Sequence, residues 1–282
     1  MGPAQILVDA RRRFFWRLGR RIYMMPRHDF SNQLTSNGEI RLQHQILTLL
    51  HNRSVEPVIF DVGANVGDWT LSLIRQARTI DRLGTLAIHA FEPFPSTFQT
   101  LSKRLREYTA DRTVRCSELA LSSEDGSGYM FGTPDLETSS LHGGGEASQY
   151  DRVKVKLQKA DTYSEENDIQ EVHLLKCDAE GHDFEVIRGA AHLLEKGRVW
   201  CLQFEYNHRW VYSRHHLKDV FDVVAGTRYK VSKVTPAGLE LYASWHPEME
   251  RFFEGNYALI RDDLAHQVTT RSVSVDSAAT FA

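Results

Sequence analysis

Residues 61–68 read DVGANVGD, follow the apolar run Val58-Ile59-Phe60 and precede the segment 69–74, WTLSLI. This order predicts a buried strand, a turn with two glycines and a helix. Glycine lets the backbone approach a ligand closely, and a helix N-terminus offers unpaired N–H groups with partial positive charge. We interpret the turn as a nucleotide-type cofactor site. The alternative is a tight turn without a ligand, which would not need the polar groups of Asp61 and Asn65.

The spacing within this turn bears on which cofactor it holds. A dinucleotide fingerprint reads G-x-G-x-x-G, whereas this chain has Gly63, Asn65 and Gly67. The acid at Asp61 would also repel a pyrophosphate. S-adenosylmethionine (SAM) carries an ammonium and a sulfonium and no phosphate, so the turn favours SAM over NAD.

A second acid supports this interpretation. Residues 86–91 predict another strand, which ends at Glu92 and Pro93. Glu92 follows Gly67 by about 25 residues, near the spacing at which an acid holds a ribose hydroxyl in doubly wound folds. A surface acid at a strand end is the alternative.

The composition is that of a globular chain with one main domain. It has 282 residues, 41% of them hydrophobic and 25% charged, which predicts a sizeable core. The net charge of −3 gives no reason to expect a nucleic-acid partner. The cysteines Cys116, Cys177 and Cys201 are few and far apart, as is typical of free thiols in a reducing compartment. With no signal-peptide core and no apolar run near the roughly 18 residues of a membrane span, we expect a cytoplasmic protein.

Strands and helices alternate along the central region, which predicts a mostly parallel sheet with helices on both faces. Ligands then bind beyond the carboxyl ends of the strands. Acids stand at or just past five of these ends. They are Asp61, Glu92, Glu118, Asp178 and Glu205. The expected strands are 58–61, 85–91, 113–117, 172–177, 199–204, 229–234 and 256–261, and the expected helices are 69–78, 96–108, 183–195 and 216–225.

We divide the chain into an N-terminal basic, amphipathic helical extension (1–52), the main domain (53–265) and a disordered tail (266–282). Residues 1–30 carry seven arginines against two aspartates. A helix over 5–25 could contact an anionic membrane surface or an acidic partner. The alternative is a structural role, in which the helix covers the core or closes a homodimer. The Gly-rich segment 132–151 predicts a lid or a disordered loop.

Three motifs together resemble the FkbM family of SAM-dependent methyltransferases. They are DVGANVG at 61–67, Phe91-Glu92-Pro93, and LKCDAEGHD at 175–183 with Arg188-Gly189-Ala190 after it. The resemblance covers roughly residues 55–235, and the D-x-E-G-x-D segment is its most family-specific part.

The resemblance implies a class I methyltransferase fold, Rossmann-like, with a mostly parallel seven-stranded sheet and one antiparallel strand. It also implies O-methylation of a sugar, glycolipid or natural-product acceptor. Asp61 and the loop Gly63–Gly67, with Ala64 and Asn65, should hold the methionine part of SAM, and Glu92 with Pro93 its ribose. The other implied cofactor contacts are Glu118 and Leu119 near the adenine, Ser140 in a segment that folds over the cofactor, and Asp178. Glu118 departs from the Asn that the family often has there.

A hydroxyl acceptor is a poor nucleophile while protonated, so a positioned base should help. The candidate catalytic residues are Asp178, Glu180, His182 and Glu205. His182 is alternatively a capping or packing residue, and Asp178 alternatively binds the SAM ammonium. The four side chains would also suit a hard cation, but carboxylates at strand ends serve SAM without an ion, so we expect no metal.

Three other functions stay open at this point. One is N- or carboxyl-methylation of an amino-acid-like acceptor, and another is a SAM-binding protein without activity. The third is a nicotinamide oxidoreductase, which the turn spacing disfavours.

Overall fold

The computed structural model describes residues 3–29, 33–81, 83–132, 141 and 151–275. The strands are β1 (Val58–Val62), β2 (Ala87–Phe91), β3 (Val114–Ser117), β4 (Ala120–Leu121), β5 (Gly126–Gly132), β6 (Asp151–Gln158), β7 (Val172–Cys177), β8 (Val199–Tyr206), β9 (Tyr229–Thr235), β10 (Gly238–Tyr242), β11 (Gly255–Arg261) and β12 (Thr269–Val273). The helices are α1 (Pro3–Met24), α2 (Glu39–Asn52), α3 (Asp68–Thr79), α4 (Pro95–Arg104), α5 (Arg106–Ala110), α6 (Ala160–Glu166), α7 (Asp183–Gly189), α8 (Ala191–Glu195), α9 (Trp210–Ser213), α10 (Leu217–Val224) and α11 (Asp262–Val268).

The main sheet has the order β12-β10-β9-β11-β8-β7-β1-β2-β3, nine strands within the described ranges. Strands β1, β2, β3, β7 and β8 are parallel to one another, and β11 runs antiparallel to both of its neighbours, β8 and β9. The seven strands from β3 to β9 thus form the expected sheet with one antiparallel member. The count of seven is approximate, because β10 and β12 extend the sheet beyond β9.

Helices cover both faces of the sheet, as predicted. Alternate side chains of a strand point to opposite faces, so Ile59 packs with α2 and α3 while Phe60 packs with α6 and α7. The face under α2 and α3 also receives Asp61, which belongs to the same alternation as Ile59. A polar group in this otherwise apolar layer must be hydrogen-bonded there.

The boundary predicted at residue 52 is wrong for α2. Its residues Leu42, Ile46, Leu47 and Leu50 are buried in the core layer that contains Ile59. Helix α2 therefore belongs to the main domain, because its apolar face completes the cover over the sheet. The extension is confined to α1 and the short 3₁₀ turn Met25–Arg27 that follows it.

The tail predicted over 266–282 is wrong in its first part. Residues 262–268 form α11, and 269–273 form β12, which pairs in parallel with β10. The polar composition of 269–273 hides this strand, since its backbone pairing comes from the tertiary fold. Residues 276–282 lie outside the described part of the chain.

A smaller sheet lies beside the main one and has the order β4-β6-β5 among the described strands. It includes β6, whose alternating segment VKVKL (153–157) is half buried. The predicted lid or loop at 132–151 falls almost entirely outside the described residues. No helix in the described ranges is long and apolar enough to cross a membrane.

Candidate active site

The loop after β1 is fixed against the end of β2. The backbone N–H groups of Gly63 and Ala64 donate to the carbonyl oxygen of Phe91 at 3.0 and 2.9 Å. Asn65 has a positive φ of 48°, a conformation that asparagine tolerates better than most residues. The loop is therefore rigidly placed before α3 begins at Asp68.

Both glycines have a positive φ, and at Gly63 the backbone packing excludes a side chain as well. Gly63 has φ +70°, and a Cβ there would lie 1.9 Å from the carbonyl oxygen of Asp178. Gly67 has φ +89° and would place a Cβ 2.9 Å from Leu101 Cδ1. Gly63 thus allows the loop after β1 to touch the loop after β7, which brings the two acidic motifs together.

Glu92 is a buried carboxylate held by backbone donors. Its Oε2 accepts from the N–H of Asn65 at 3.0 Å, and its Oε1 accepts from the N–H of Phe94 at 2.9 Å. Burial raises the pKa of Glu92 from 4.5 to about 7, although the two N–H groups lower it. Each oxygen retains acceptor capacity, so this side chain can receive two further hydroxyl donors.

Asp61, in contrast, belongs to a buried polar row beneath the loop. Asp61, Lys176 and Gln203 are register partners on β1, β7 and β8. Thr70 donates to Asp61 Oδ2 at 2.5 Å, and Lys176 Nζ lies 3.7 Å from Asp61 Oδ1. Burial raises the pKa of Asp61. Its carboxylate therefore stabilises the base of the loop.

Lys176 is the cation at the centre of this row. Its Nζ lies 3.4 Å from Asp178 Oδ2 and donates to the carbonyl oxygen of Gly63 at 3.4 Å. Burial opposes its charge, but Asp178, Asp61 and Glu39 outweigh burial and raise the pKa of Lys176. The lysine stays charged and ties β1, β7 and the loop together.

A cleft opens at the carboxyl ends of β1, β2 and β7 and encloses about 640 Å³, open solvent included. One end is polar, and the other is apolar and partly formed by the smaller sheet. The lining residues are Val62, Gly63, Asn65, Glu92, Pro93, Thr97, Leu119, Ala120, Leu121, Met130, Leu141, Asp178, Ala179, Glu180 and His182.

Three carboxylates meet at the polar end. Oxygen atoms of Asp178, Glu180 and Glu205 all lie within 4.8 Å of one another, a spacing that could also hold a hard cation. Arg209 NH1 lies 2.8 Å from Glu180 Oε2. Burial, with the charge of Asp178, raises the pKa of Glu180 to about 8. The pKa of Glu205 is raised well above its usual value for the same reasons.

The loop between β7 and α7 is shaped by Asp183. Its carboxylate accepts from the backbone N–H groups of Ala179 and Gly181, both at 3.2 Å. His182 lies at the cleft, directly before α7, and its Nε2 is 3.0 Å from Ser122 Oγ. His182 is the N-cap residue of α7, and its side chain makes no capping hydrogen bond.

The structure brings most of the predicted site residues to one edge. Gly63, Asn65, Glu92, Pro93, Leu119, Asp178, Glu180 and His182 line the cleft. The others differ. Asp61 lies below the loop, and Ala64 and Gly67 are not in the lining. Glu118 is exposed, Glu205 is buried and does not line the cleft, and Ser140 lies outside the described residues.

Three residues of the site were not predicted. Lys176 could have been noticed, because a lysine inside the apolar segment VHLLKC must have partners when buried. Glu39 belongs to no sequence motif, but its carboxylate accepts hydrogen bonds from Gln203 and Asn37 at 2.7 and 2.5 Å. Arg209 follows β8 by three residues, and no pattern marks it.

The cleft suits SAM by the chemistry of its walls. The buried Glu92 carboxylate matches a ribose diol, and Leu119, Leu121 and Met130 offer an apolar wall for an uncharged ring. Asp178 and Glu180 match a cationic end. Among the described residues, the lining contains no arginine or lysine.

The strand order is that of a class I methyltransferase fold. The methyltransferase FkbM domain matches residues 61–253, well over half of the chain. The chain belongs to the FkbM methyltransferase family, and the family implies SAM as the methyl donor.

Individual relatives are more distant. The chain is 27% identical to the hexuronic acid methyltransferase AglP of Haloferax volcanii over 153 residues, 54% of this chain and 58% of that protein. Its fold resembles methyltransferase FkbM from Methylobacillus flagellatus KT, with 15% identity, 72% and 43% coverage of the two chains and a TM-score of 0.47. It also resembles WbdD, with 10% identity, 82% and 41% coverage and a TM-score of 0.44. The chain spans less than two thirds of the length of each.

Proposed function

We propose that this enzyme transfers the methyl group of SAM to a hydroxyl oxygen of a sugar-containing acceptor. One observation carries the proposal: the backbone-held carboxylate of Glu92 and the acids Asp178 and Glu180 line the same cleft. The Glu92 carboxylate suits a ribose, whereas Asp178 and Glu180 suit a cationic centre and an acceptor hydroxyl beside it.

The residues that would hold SAM divide by chemistry. Glu92 would accept from the ribose hydroxyls, with Pro93 and Asn65 beside it, and Leu119 would pack on the adenine. Asp178, which lies at the polar end next to Lys176, would face the ammonium. When bound, SAM supplies a methyl group on a sulfonium, which is ready for in-line displacement.

Glu180 is the proton acceptor in this proposal. A general base works best when its pKa is near the operating pH, and burial with Asp178 raises the pKa of Glu180 to about 8. Arg209 holds its Oε2 at 2.8 Å, which fixes the carboxylate without removing it from the cleft. Glu180 would take the proton from the acceptor hydroxyl, and His182, 3.0 Å from Ser122, would orient the acceptor.

The sugar acceptor is supported by the similarity to AglP, whose name states a hexuronic acid substrate. A uronic acid offers both hydroxyl and carboxyl oxygens, so the acceptor atom has to be tested directly. Burial of Glu180 among Asp178 and Glu205 favours an uncharged hydroxyl there, because a substrate carboxylate would meet three acids.

The test is transfer from methyl-labelled SAM to an oligosaccharide that contains a uronic acid. We expect labelled product whose methyl survives mild alkali, as an ether does, and loss of labelling in Glu180→Gln but not in the exposed control Glu107→Gln. A product whose label is released by mild alkali is a methyl ester and would contradict methylation of a hydroxyl oxygen. Labelling of an amine acceptor but of no saccharide would also contradict the proposal.

A further inference from the structure

Helix α1 exposes an apolar stripe. Phe14, Leu18 and Ile22 follow one another at intervals of four residues, so they lie along one face of the helix. Their side chains are 60%, 42% and 59% exposed. Phe15 beside them is 61% exposed. Exposed apolar surface of this kind usually marks a contact with another molecule or a membrane.

The stripe points away from the rest of the protein. Helix α1 contacts the main domain through Arg20, whose guanidinium lies 5.1 Å from the ring centroid of Phe253, and through Tyr23, whose hydroxyl donates to Glu248 at 3.0 Å. At 3.6 residues per turn, Arg20 and Tyr23 lie on the side of the helix opposite to Leu18. The described part of the domain therefore leaves the stripe uncovered.

The charge of the helix is as uneven as its hydrophobicity. Residues 11–21 contain six arginines, and no acidic residue stands between 11 and 24. Arg17 and Arg21 are exposed and lie beside the stripe. Residues 1–30 carry seven arginines against two aspartates, so with −3 for the whole chain the remainder carries −8. An anionic surface would attract α1 and repel the domain.

We propose that α1 binds the surface of an anionic lipid bilayer, with Phe14, Leu18 and Ile22 entering the headgroup boundary. Amphipathic helices with an arginine-rich polar face and Phe, Trp or Leu on the other face bind in this way. Arginine stems can lie along the apolar edge while their guanidinium groups reach lipid phosphates. The polarity and the charge of α1 thus fit the same occupant.

A second copy of α1 fits less well. Helices that pair through an apolar stripe usually place acids opposite basic residues along its edges. Residues 10–24 supply none, so two such helices would bring like charges together.

The attachment of α1 lies at the same edge of the sheet as the cleft. Residues 248–253 precede β11, whose Gly255 pairs with Tyr206 at the carboxyl end of β8. The inference does not depend on the methyl acceptor, because it rests on α1 alone.

The test is co-sedimentation of the intact chain with vesicles of phosphatidylglycerol and phosphatidylcholine in equal parts, against vesicles of phosphatidylcholine alone. We expect binding to the anionic vesicles that weakens as salt rises. Arg17→Gln with Arg21→Gln should weaken binding roughly thirtyfold, and Phe14→Gln with Leu18→Gln roughly tenfold or more. Glutamine keeps the helix, since its helix propensity is high.

Matched controls remove the same kinds of group from the domain. Lys103→Gln with Arg106→Gln removes two exposed charges, and Val223→Gln removes an exposed apolar side chain of α10; both should bind as the wild type does. Equal binding to neutral vesicles, no binding to either kind, or equal losses in the controls would overturn the proposal. So would a wild-type dimer that Phe14→Gln with Leu18→Gln dissociates and that does not bind vesicles, since a second copy would then cover the stripe.

Discussion

The carboxylate of Glu92 accepts a 3.0 Å hydrogen bond from the backbone N–H of Asn65. This bond joins the end of β2 to the loop after β1, so the acid is positioned before any ligand arrives. A preorganised acceptor loses little entropy on binding. The relationship explains why these two motifs, 27 residues apart, act as one site.

Replacing Glu92 with alanine should weaken SAM binding. The change removes the hydrogen-bond acceptor for the ribose, and the N–H groups of Asn65 and Phe94 lose the carboxylate to which they donate. We therefore expect a loss of roughly 1–3 kcal/mol in binding free energy. Isothermal titration with SAM measures this, and Glu107→Ala on exposed α5 is the control. An affinity equal to that of the wild type would remove the ribose role of Glu92.

The stability of the ligand-free protein should depend on pH through Glu92. Because burial raises the pKa of Glu92 from 4.5 to about 7, the folded state holds this proton more strongly than the unfolded state. The resulting stabilisation is fully present below pH 4.5 and is lost as the pH rises through about 7.

The comparison that isolates this effect is urea unfolding of the wild type and of Glu92→Gln at about pH 5 and about pH 8. The free energy of unfolding of the wild type should fall relative to the variant by on the order of 1–3 kcal/mol over this range. Other titrating groups cancel in the difference. A difference that is constant, or that grows with pH, would contradict the raised pKa.

Gly63→Ala should be far more damaging than an ordinary glycine substitution. Its Cβ would lie 1.9 Å from the Asp178 carbonyl oxygen, and φ is +70°. We expect a loss of roughly 4 kcal/mol or more of stability, or failure to fold. Gly84→Ala is the control, since a Cβ there meets nothing within 4 Å. Similar thermal midpoints for both variants would show that the β1 and β7 loops are not in this close contact.

Turnover should rise with pH through about 8 if Glu180 is the base, because only the deprotonated carboxylate accepts a proton. Glu180→Gln should lower turnover by roughly 10²–10⁴-fold and abolish this rise, while SAM affinity changes much less. Single-turnover transfer at several pH values, beside a SAM titration, separates the two effects. Unchanged turnover in the variant would exclude Glu180 as the base, and His182 would then be tested in the same way.

The sequence predicted the part of the fold that depends on local pattern. Strand β7 was expected at its observed bounds of 172–177, because a continuous apolar run marks a buried parallel strand. Strands β10 and β12 were missed, since short or polar segments pair only when the sheet edge is already in place. The helix expected over 96–108 is divided at Leu105 into α4 and α5.

The site was predictable where an acid directly follows a strand, as Glu92 and Asp178 do. It was not predictable where a partner comes from a distant element. Glu39 on α2 accepts a hydrogen bond from Gln203 on β8, and no local sequence pattern predicts that contact. Asp61 shows the converse, because its motif position suggested a ligand contact while its alternation on β1 directs it to Thr70 and Lys176.

The most direct test of the central claim is a crystal structure with S-adenosylhomocysteine, the demethylated product of SAM. We predict its ribose hydroxyls on the carboxylate of Glu92, its adenine against Leu119 and its amino-acid end beside Asp178. A ligand bound elsewhere, or bound here with its ribose away from Glu92, would contradict the account.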